Sequence, residues 1–534
     1  MSRPSGRAKP GHDSRDTGEP CRVRLAAWRI ALSIVAGVAL ALAFPDFNLP
    51  PFAWVAVAGL IFASLGASLG QAALCGLLFS IGFYGFSVPW IYTVMRQYGP
   101  LPVWQAAGVM LLMILAASPC IVAFAVLVAW IARRSANLAI CATPFLWVAL
   151  ELLRARMPEI GFPWNLLGYT ASGSLALVQL TALTGIWGLS FLVAAYNALL
   201  VWSIRSLRHQ RVNRSAASAI LLGSTAAILI IVFAGARLVP AASPTNVAHL
   251  VQTNLPQSMG YPANWDAVHA GDMAEIDQLT TSAGQRQPGL VVWPEVPAPF
   301  SLEQLPFAQR ALRLARDSHS DFLLGVVKWK QEGSALAAYN SAVLLDPGGV
   351  QEFEYDKIHL VPFSEYVPWR RYLFFASDLT GLIGDFHHGS QYAVGRLPGG
   401  PFGVFICYEA VFPNEVRRFV QNGAELLINV SDDGWFGRSS ARTQHLAMAR
   451  VRAVENRRWL LRDTNNGFTV SVDPYGRIVA SLPPDVRSQL DAPYAFRTDR
   501  TLYTRWGDWL AWLSAAVSTA LLLVAARRSK SASV

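Results

Sequence analysis

Charged side chains are scarce in this 534-residue chain: Asp, Glu, Lys and Arg make up 15% of it, whereas hydrophobic residues make up 53%. This composition excludes an ordinary soluble protein and indicates several membrane-spanning segments. The formal net charge of +10 would suit a nucleic-acid partner, but the basic residues cluster beside apolar runs, as membrane orientation requires. We therefore expect a membrane protein with no nucleic-acid partner.

Cysteine is also rare, with five residues in the chain. Three of them lie in apolar runs, where small buried hydrophobic residues are expected, and one lies in the polar N-terminal tail. The three are Cys75, Cys120 and Cys141, and the fourth is Cys21. Cys407 is the one cysteine of a long polar stretch, so it has no disulfide partner there and is expected to be a free thiol.

Motifs for nucleotide and metal binding are missing. The chain contains no Walker or dinucleotide glycine motif, and His387-His388 has no further ligands at a spacing suited to a metal. Gly66-Ala67-Ser68-Leu69-Gly70 matches the serine-hydrolase elbow, but it lies in a turn between two apolar runs rather than between a strand and a helix. We expect neither a cofactor nor a metal.

Long apolar runs, by contrast, are abundant. A membrane-spanning helix needs roughly 20 apolar residues, and eight runs qualify: 26–44, 52–69, 71–92, 104–132, 138–153, 174–203, 216–239 and 507–526. With this count, the basic N-terminal tail, Arg133-Arg134, the basic loop from Arg205 to Arg214 and the basic C-terminus share one side of the membrane. Basic loops mark the cytoplasmic side, which places residues 240–505 on the opposite face.

The chain therefore divides into five parts. These are a disordered basic cytoplasmic tail (1–24), a seven-span transmembrane domain (25–239), a periplasmic catalytic domain (240–505), a final transmembrane helix (506–527) and a cytoplasmic tail (528–534). In the third part, apolar runs predict buried strands at 246–252, 289–293, 322–327, 341–345, 402–407 and 425–430, and charged amphipathic stretches predict helices at 303–318 and 441–458. This alternation is typical of an α/β domain in which helices cover a sheet.

Three reactive side chains stand out in the polar region. Glu295 and Cys407 each follow a predicted strand, as reactive groups often do in α/β folds, and Lys357 lies between them in the sequence. A thiol with a pKa of about 8.5 must be activated before it attacks; a carboxylate can take its proton and an ammonium can stabilise the oxyanion. Each residue alone is explained as well by a surface charge or a core thiol, but the combination indicates acyl transfer through a thioester.

The sequence motifs around these residues resemble those of a known family. Residues 289–476 are similar to the nitrilase superfamily, whose triad is Glu-Lys-Cys. The segment 357–368 (KIHLVPFSEYVP) and Ile406-Cys407-Tyr408-Glu409 resemble bacterial apolipoprotein N-acyltransferases more specifically, as do 162–169 (FPWNLLGY), 429–437 (NVSDDGWFG), Gln444-His445 and 465–467 (NNG). The resemblance implies a polytopic α-helical membrane domain joined to an α/β nitrilase-like domain, an α-β-β-α sandwich.

The resemblance also implies roles for individual residues. Cys407 matches the nucleophile, Glu295 the general base and Lys357 the oxyanion stabiliser. Glu365 matches a second glutamate that supports the triad, and Tyr408 and Glu409 match residues that shape the site beside the nucleophile, with the Tyr408 backbone N–H assisting the oxyanion.

The implied reaction moves an acyl chain from a phospholipid, through a cysteine thioester, to the α-amine of the diacylglyceryl-cysteine of an apolipoprotein. The implied location is the bacterial inner membrane, with the catalytic domain on its periplasmic face, and no cofactor is required. Two other functions remain open. A membrane-tethered amidase would share the first chemical steps, and a transporter with a soluble domain is disfavoured because the spans carry almost no ionisable residues.

Two further stretches suggest contacts with lipid. Residues 366–389 are unusually apolar for an exported domain, so we predict a mobile lid that dips into the bilayer, with core packing as the alternative. In this lid, Trp369, Phe374 and Phe375 would contact lipid tails, and Arg370 and Arg371 would lie near phosphates. Two aromatic residues within the 429–437 motif are predicted to line an acyl groove or, equally, to pack in the core: Trp435 and Phe436.

Overall fold

The structure is a computed structural model that describes residues 19–99, 101–209, 214–257, 264–296, 298, 300–333, 335–369, 371 and 386–530. Its N-terminal part is helical throughout. The helices are α1 (Glu19–Leu42), α2 (Ala53–Ser64), α3 (Leu69–Ser87), α4 (Trp90–Gln97), α5 (Val103–Ala117), α6 (Pro119–Ala132), α7 (Ala136–Ala155), α8 (Leu175–Val178), α9 (Thr181–Thr184), α10 (Ile186–His209) and α11 (Arg214–Ala234).

The apolar runs fold into helices at all eight predicted positions, although not all of these helices are long. Among the described residues, α3, α7, α10, α11 and the C-terminal helix Trp509–Lys530 are long and apolar enough to cross a membrane. A sixth span results if α5 and α6, bent by 40° where Pro119 begins the second helix, count as one. The apolar parts of α1 and α2 are shorter, so the count of eight spans stays a prediction.

One predicted span differs from the structure. The run 174–203 was predicted as a single helix, but residues 175–184 form the short helices α8 and α9, and α10 begins at Ile186. Gly185 separates them with a φ of +65°, a backbone conformation outside the right-handed helical region that glycine adopts readily. The prediction of one continuous helix is therefore wrong in its first third.

Small residues allow the first helices to pack closely. A Cβ on Gly37 of α1 would lie 2.2 Å from the backbone oxygen of Phe79 in α3, and one on Gly82 of α3 would lie 2.8 Å from the backbone oxygen of Ile34. Such close backbone approach is how helices associate within a membrane, where no hydrophobic effect drives them together.

The C-terminal part contains two six-stranded sheets. The strands are β1 (Asn246–Gln252), β2 (Leu290–Val292), β3 (Asp321–Glu332), β4 (Ala335–Leu345), β5 (Gln351–Asp356), β6 (Val394–Leu397), β7 (Gly400–Ile406), β8 (Leu426–Ser431), β9 (Trp459–Thr464), β10 (Thr469–Val472), β11 (Ile478–Leu482) and β12 (Ser488–Tyr494). The first sheet has the order β12-β1-β2-β3-β4-β5 and the second the order β11-β10-β9-β8-β7-β6. In each sheet three central strands are parallel, β1-β2-β3 and β7-β8-β9.

Helices cover the outer face of both sheets. They are α12 (Trp265–Val268), α13 (Ala270–Arg286), α14 (Leu305–Ser318), α15 (Pro413–Gln421) and α16 (Ser440–Asn456). Two helices follow the last strand: α17 (Leu502–Trp506), which packs on α9, α15 and α16, and α18 (Trp509–Lys530), which packs on α7 and α10 of the membrane domain. One apolar core joins the first sheet to α13 and α14, and another lies between the sheets and reaches α15 and α16. The result is an α-β-β-α sandwich, because parallel strands that are buried on both faces need helices outside them.

Candidate active site

The three reactive residues follow strands of the two facing sheets. Glu295 lies shortly after β2, Lys357 directly after β5 and Cys407 directly after β7. All three side chains are buried, with residue exposures of 6%, 1% and 7%. Folding therefore places side chains that are 112 residues apart in the sequence (407 − 295) in one interior region between the sheets.

Lys357 lies between two carboxylates. Its Nζ is 3.0 Å from Glu295 Oε1 and 2.9 Å from Glu365 Oε1. The amide nitrogen of Asn340 donates to the same two oxygens, at 2.7 and 3.0 Å. Burial alone would lower the pKa of Lys357, but Glu295 and Glu365 outweigh it and raise that pKa well above its usual value. The lysine therefore stays a cation inside the protein.

Both carboxylate oxygens of Glu295 accept hydrogen bonds. Its Oε2 accepts the backbone N–H of Asp432 at 2.9 Å, while Oε1 receives Lys357 and Asn340. Burial would raise the pKa of Glu295, but the Lys357 charge lowers it below its usual value. A buried, ionised carboxylate with fixed orientation is suited to accept a proton.

Cys407 sits at a sharp turn of the backbone. It ends the run of β7 with a φ of +48° and begins a short helical turn that extends to Val411. Burial raises the pKa of its thiol well above the usual value, the negative charge of Glu295 raises it further, and Lys357 opposes both. The resting sulfur is therefore a thiol, which needs a base in order to attack.

His445 of α16 contacts the backbone of Cys407. Its Nε2 donates to the Cys407 carbonyl oxygen at 3.0 Å, and its Nδ1 lies 3.0 Å from Asp433 Oδ1. Arg462 NH2 contacts both oxygens of Asp433, at 2.8 and 2.7 Å. Sequence analysis noted His445 only as part of a matching word, because nothing in the spacing connects it to Cys407.

Comparisons with known proteins show the family to which the chain belongs. Two family models match the chain: the apolipoprotein N-acyltransferase N-terminal domain over residues 36–199, and carbon-nitrogen hydrolase over residues 250–491. The apolipoprotein N-acyltransferase of Geobacter metallireducens is 36% identical over 502 residues, which cover 93% of this chain and 95% of that protein. The chain belongs to the apolipoprotein N-acyltransferase family. The resemblance noted in the sequence, and the fold expected from it, are confirmed.

Other members of the apolipoprotein N-acyltransferase family are similarly close. Those of Methylococcus capsulatus and Pseudomonas putida are each 32% identical, over 90% and 93% of this chain and 93% and 97% of their own lengths. Among solved structures, the nitrilase-superfamily protein Nit3 of Saccharomyces cerevisiae is 20% identical with a TM-score of 0.35, and the match covers 46% of this chain and 89% of that one. An amidase from Nesterenkonia gives 20% identity and a TM-score of 0.34, over 49% and 95%.

Glu409 ties the nucleophile turn of this N-acyltransferase family member to the lysine segment. Its Oε1 accepts from the Tyr355 hydroxyl at 2.6 Å and from the backbone N–H groups of Ile358 and His359 at 2.7 and 3.1 Å. Its Oε2 accepts the N–H of Ile406 at 2.7 Å. Burial raises the pKa of Glu409 to about 7 against these hydrogen bonds. Its side chain touches neither the Glu295 carboxylate nor the Lys357 ammonium, so we assign it a positioning role.

Aromatic side chains join the site to the membrane helices. Tyr408, directly after the nucleophile, stacks on Trp164 with ring centroids 6.4 Å apart. Phe436 packs edge-on against Trp90 and Trp164, at 5.3 and 5.8 Å. Trp435 packs in the same way against Tyr98, the residue directly after α4, at 5.5 Å. These contacts give Trp435 and Phe436 a packing role at this junction, and an acyl groove stays a prediction.

The predicted lid is described only in part. Arg370, Phe374 and Phe375 lie outside the described residues, while Trp369 and Arg371 are exposed. The lid and its lipid contacts therefore stay a prediction.

A cavity of about 310 Å³ opens beside the lysine segment. It lies between the membrane-domain loop 155–163, the residues that follow Lys357, and the start of α15; lining residues include Arg156, Glu159, Ile358, His359, Phe412 and Glu415. Within the described ranges, no three His, Cys, Asp or Glu side chains are grouped so that they could hold a metal ion.

Proposed function

We propose that this protein transfers a fatty acyl chain from a membrane phospholipid, through a thioester on Cys407, to the α-amine of the diacylglyceryl-cysteine of an apolipoprotein. One observation carries the proposal: in a member of this family, a buried lysine is held by Glu295 beside a buried cysteine thiol. The membrane helices supply the lipid context.

In the first half-reaction, the Cys407 sulfur attacks the carbonyl carbon of a phospholipid ester while Glu295 takes the thiol proton. A C–S bond forms, the ester C–O bond breaks, and Glu295 passes the proton to the leaving alkoxide to give a lysophospholipid. Lys357 and the backbone N–H of Tyr408 stabilise the negative charge that develops on the carbonyl oxygen. Glu295 ends this half-reaction ionised, as it began.

In the second half-reaction, the neutral α-amine of the acceptor attacks the thioester carbon. A C–N bond forms, the C–S bond breaks, and an amine proton passes through Glu295 to the Cys407 sulfur, which regenerates the thiol. Glu365 keeps Lys357 in place through both halves, because its Oε1 is the second anion on that ammonium.

Both substrates are anchored in a bilayer, so we propose that the site works at the periplasmic face of the inner membrane. The basic loops of the sequence support this side. The cavity of about 310 Å³ at the junction with the membrane domain is a reasonable place for the polar part of either lipid. Anchoring enzyme and substrates in one plane reduces their encounter to a two-dimensional search.

The experiment follows the acyl group. The purified full-length protein is incubated with vesicles of phospholipid labelled in its acyl chain, and a diacylated lipopeptide with a free N-terminus is added afterwards. We expect label on the wild-type protein, none on Cys407→Ala, and then transfer to the lipopeptide amine. The same lipopeptide with an acetylated N-terminus is the matched control, and it should leave the label on the protein.

Two results would contradict the proposal. Label retained on Cys407→Ala would remove the nucleophile from its role. Release of labelled free fatty acid without transfer would instead assign the protein to the hydrolases, in which water resolves the thioester. That amidase-like alternative shares the whole first half-reaction, so only the second step separates the two.

A further inference from the structure

Trp164 connects the membrane domain to the residues that surround Cys407. It lies in the loop after α7 and is fully buried. Its ring stacks on Tyr408, with an interplanar angle of 19°, and on His445, with centroids 5.8 Å apart and an angle of 28°. Tyr408 follows Cys407 in the chain and His445 donates to the Cys407 carbonyl. One membrane-domain ring therefore touches both groups that flank the nucleophile.

The indole N–H of Trp164 makes a second connection. It donates to Gln444 Oε1 at 2.7 Å, and the Gln444 amide nitrogen donates to the backbone oxygens of Pro45 and Ser87 at 2.7 and 2.8 Å. Gln444 precedes His445 on α16. Three separate segments of the membrane domain thus fix the start of the helix that holds the Cys407 carbonyl.

The loop that carries Trp164 is itself fixed by α7. Arg154 donates to the Trp164 backbone oxygen at 3.0 Å, and Glu151 Oε1 accepts the backbone N–H of Leu167 at 2.7 Å. Both charged side chains are buried, at 4% and 6% exposure. Ionisable residues inside a membrane domain are expensive and usually have a specific purpose, and here they orient this loop.

From these contacts we infer that Trp164 and His445 are positioning residues for Cys407, and that the nucleophile turn is complete only when the membrane and catalytic domains are docked. The left-handed φ of Cys407 persists only where the surroundings hold it. The inference rests on the proposed thioester chemistry. It gives the membrane domain a part in the reaction beyond anchoring.

The test measures thioester formation in a single turnover, with full-length protein and acyl-labelled phospholipid vesicles. We expect Trp164→Leu to lower the rate constant at saturating phospholipid about tenfold to a hundredfold, because small displacements of reacting groups are costly. The phospholipid KM and the fraction of protein that finally becomes labelled should not change. Trp164→Phe, which keeps a stacking ring, should lose less.

The same assay applied to His445 separates positioning from folding. His445→Ala removes the donor to the Cys407 carbonyl and should slow thioester formation. His445→Gln keeps a side-chain N–H and should recover part of the rate.

Phe79→Leu is the matched control. Phe79 is also fully buried in the membrane domain, but it lies on α3, where α1 approaches that helix, so its loss should leave the rate constant unchanged at a similar cost in melting temperature. Equal losses in the two leucine variants, or a smaller labelled fraction at an unchanged rate constant, would overturn the inference. Absence of any thioester on the wild-type protein would instead refute the proposed function.

Discussion

Lys357 shares its buried site with the carboxyl groups of Glu295 and Glu365. Burial raises the pKa of the Cys407 thiol well above its usual value, the nearby Glu295 charge raises it further, and Lys357 opposes both without outweighing them. A stable thiolate–ammonium pair is therefore not the resting state. Proton removal by Glu295 has to accompany attack on the ester.

This arrangement predicts how the two half-reactions depend on pH. Glu295 has a lowered pKa, and Lys357 and Cys407 have raised ones, so none of the three changes protonation between about pH 6 and about pH 9. A fourth group does change: burial raises the pKa of Glu409 to about 7, so thioester formation should be constant from about pH 8 to about pH 9 and slow down as Glu409 is protonated below about pH 7. Transfer should rise with pH until the α-amine of the acceptor is neutral, at about pH 8.

Single-turnover rates, measured separately for thioester formation and for transfer to the amine, check this prediction. The control for effects of pH on the vesicles themselves is a peptide whose N-terminal nitrogen is an amide and therefore does not titrate. A rate of thioester formation that does not change between about pH 6 and about pH 9 would contradict it. A fall near pH 7 that persists in Glu409→Gln would instead assign the controlling proton to Asp432, since burial raises the pKa of that group to about 7 as well.

At the scale of single residues, the sequence predicted which side chains come together but not what surrounds them. Glu295, Lys357 and Cys407 could be singled out because the motifs around them are distinctive. Asn340 could not, because an asparagine within a long strand carries no signal of the two carboxylates it will bridge. The Asp432 backbone N–H could not either, since its contact with Glu295 exists only after both sheets have formed.

Among the structural elements, the turn from Cys407 to Val411 depends most on one side chain. Glu409 accepts four hydrogen bonds that join β7 to the lysine segment. Glu409→Gln replaces one acceptor oxygen with an amide that meets N–H donors. We expect this variant to lose about 1–3 kcal/mol of unfolding free energy, the cost of leaving buried donors unpaired, and to form thioester more slowly.

Denaturant unfolding of the detergent-solubilised protein and the single-turnover assay measure these two effects. Glu275→Gln is the control, because Glu275 is exposed on α13, at the outer face of the first sheet, and pairs with Arg487. A Glu409→Gln protein as stable and as fast as the wild type would show that the turn does not depend on this carboxylate.

Strands that are continuous apolar runs were the most predictable. The central strands β1, β2, β7 and β8 lie within a residue or two of their predicted positions. Strands β5, β6, β11 and β12 were not predicted, because their exposed or alternating residues resemble loops. The buried strands β9 and β10 were missed as well, because polar residues such as Arg462 and Ser471 interrupt their apolar runs. The break in the helix at Gly185 was missed because apolar residues continue on both sides of it, and hydropathy alone does not reveal where the backbone changes direction.

Across the whole molecule, α16 is the element on which the two domains meet. The sequence predicts a charged amphipathic helix there, yet nearly every residue of α16 is buried. Its inner face packs on the second sheet and its outer face on the membrane helices. Arg452 and Glu455 form a fully buried ion pair, and Glu455 also accepts the N–H of Ile186 at the start of α10. The charged side chains of α16 are therefore paired inside the interface between the two domains rather than exposed to solvent.

The membrane orientation is the last prediction, and it decides whether the site can reach exported lipoproteins. Basic residues flank the spans on one side only if an odd number of crossings precedes residue 240. A reporter enzyme that is active only outside the cytoplasm, fused after Pro240, should therefore be active. The same reporter fused after Arg208, at the C-terminal end of α10, is the matched control and should be inactive. Because α11 is the only long apolar helix between the two fusion points in the described chain, the pair should differ by one crossing. Cytoplasmic behaviour of the Pro240 fusion would place the Glu-Lys-Cys cluster in the wrong compartment for its proposed acceptor.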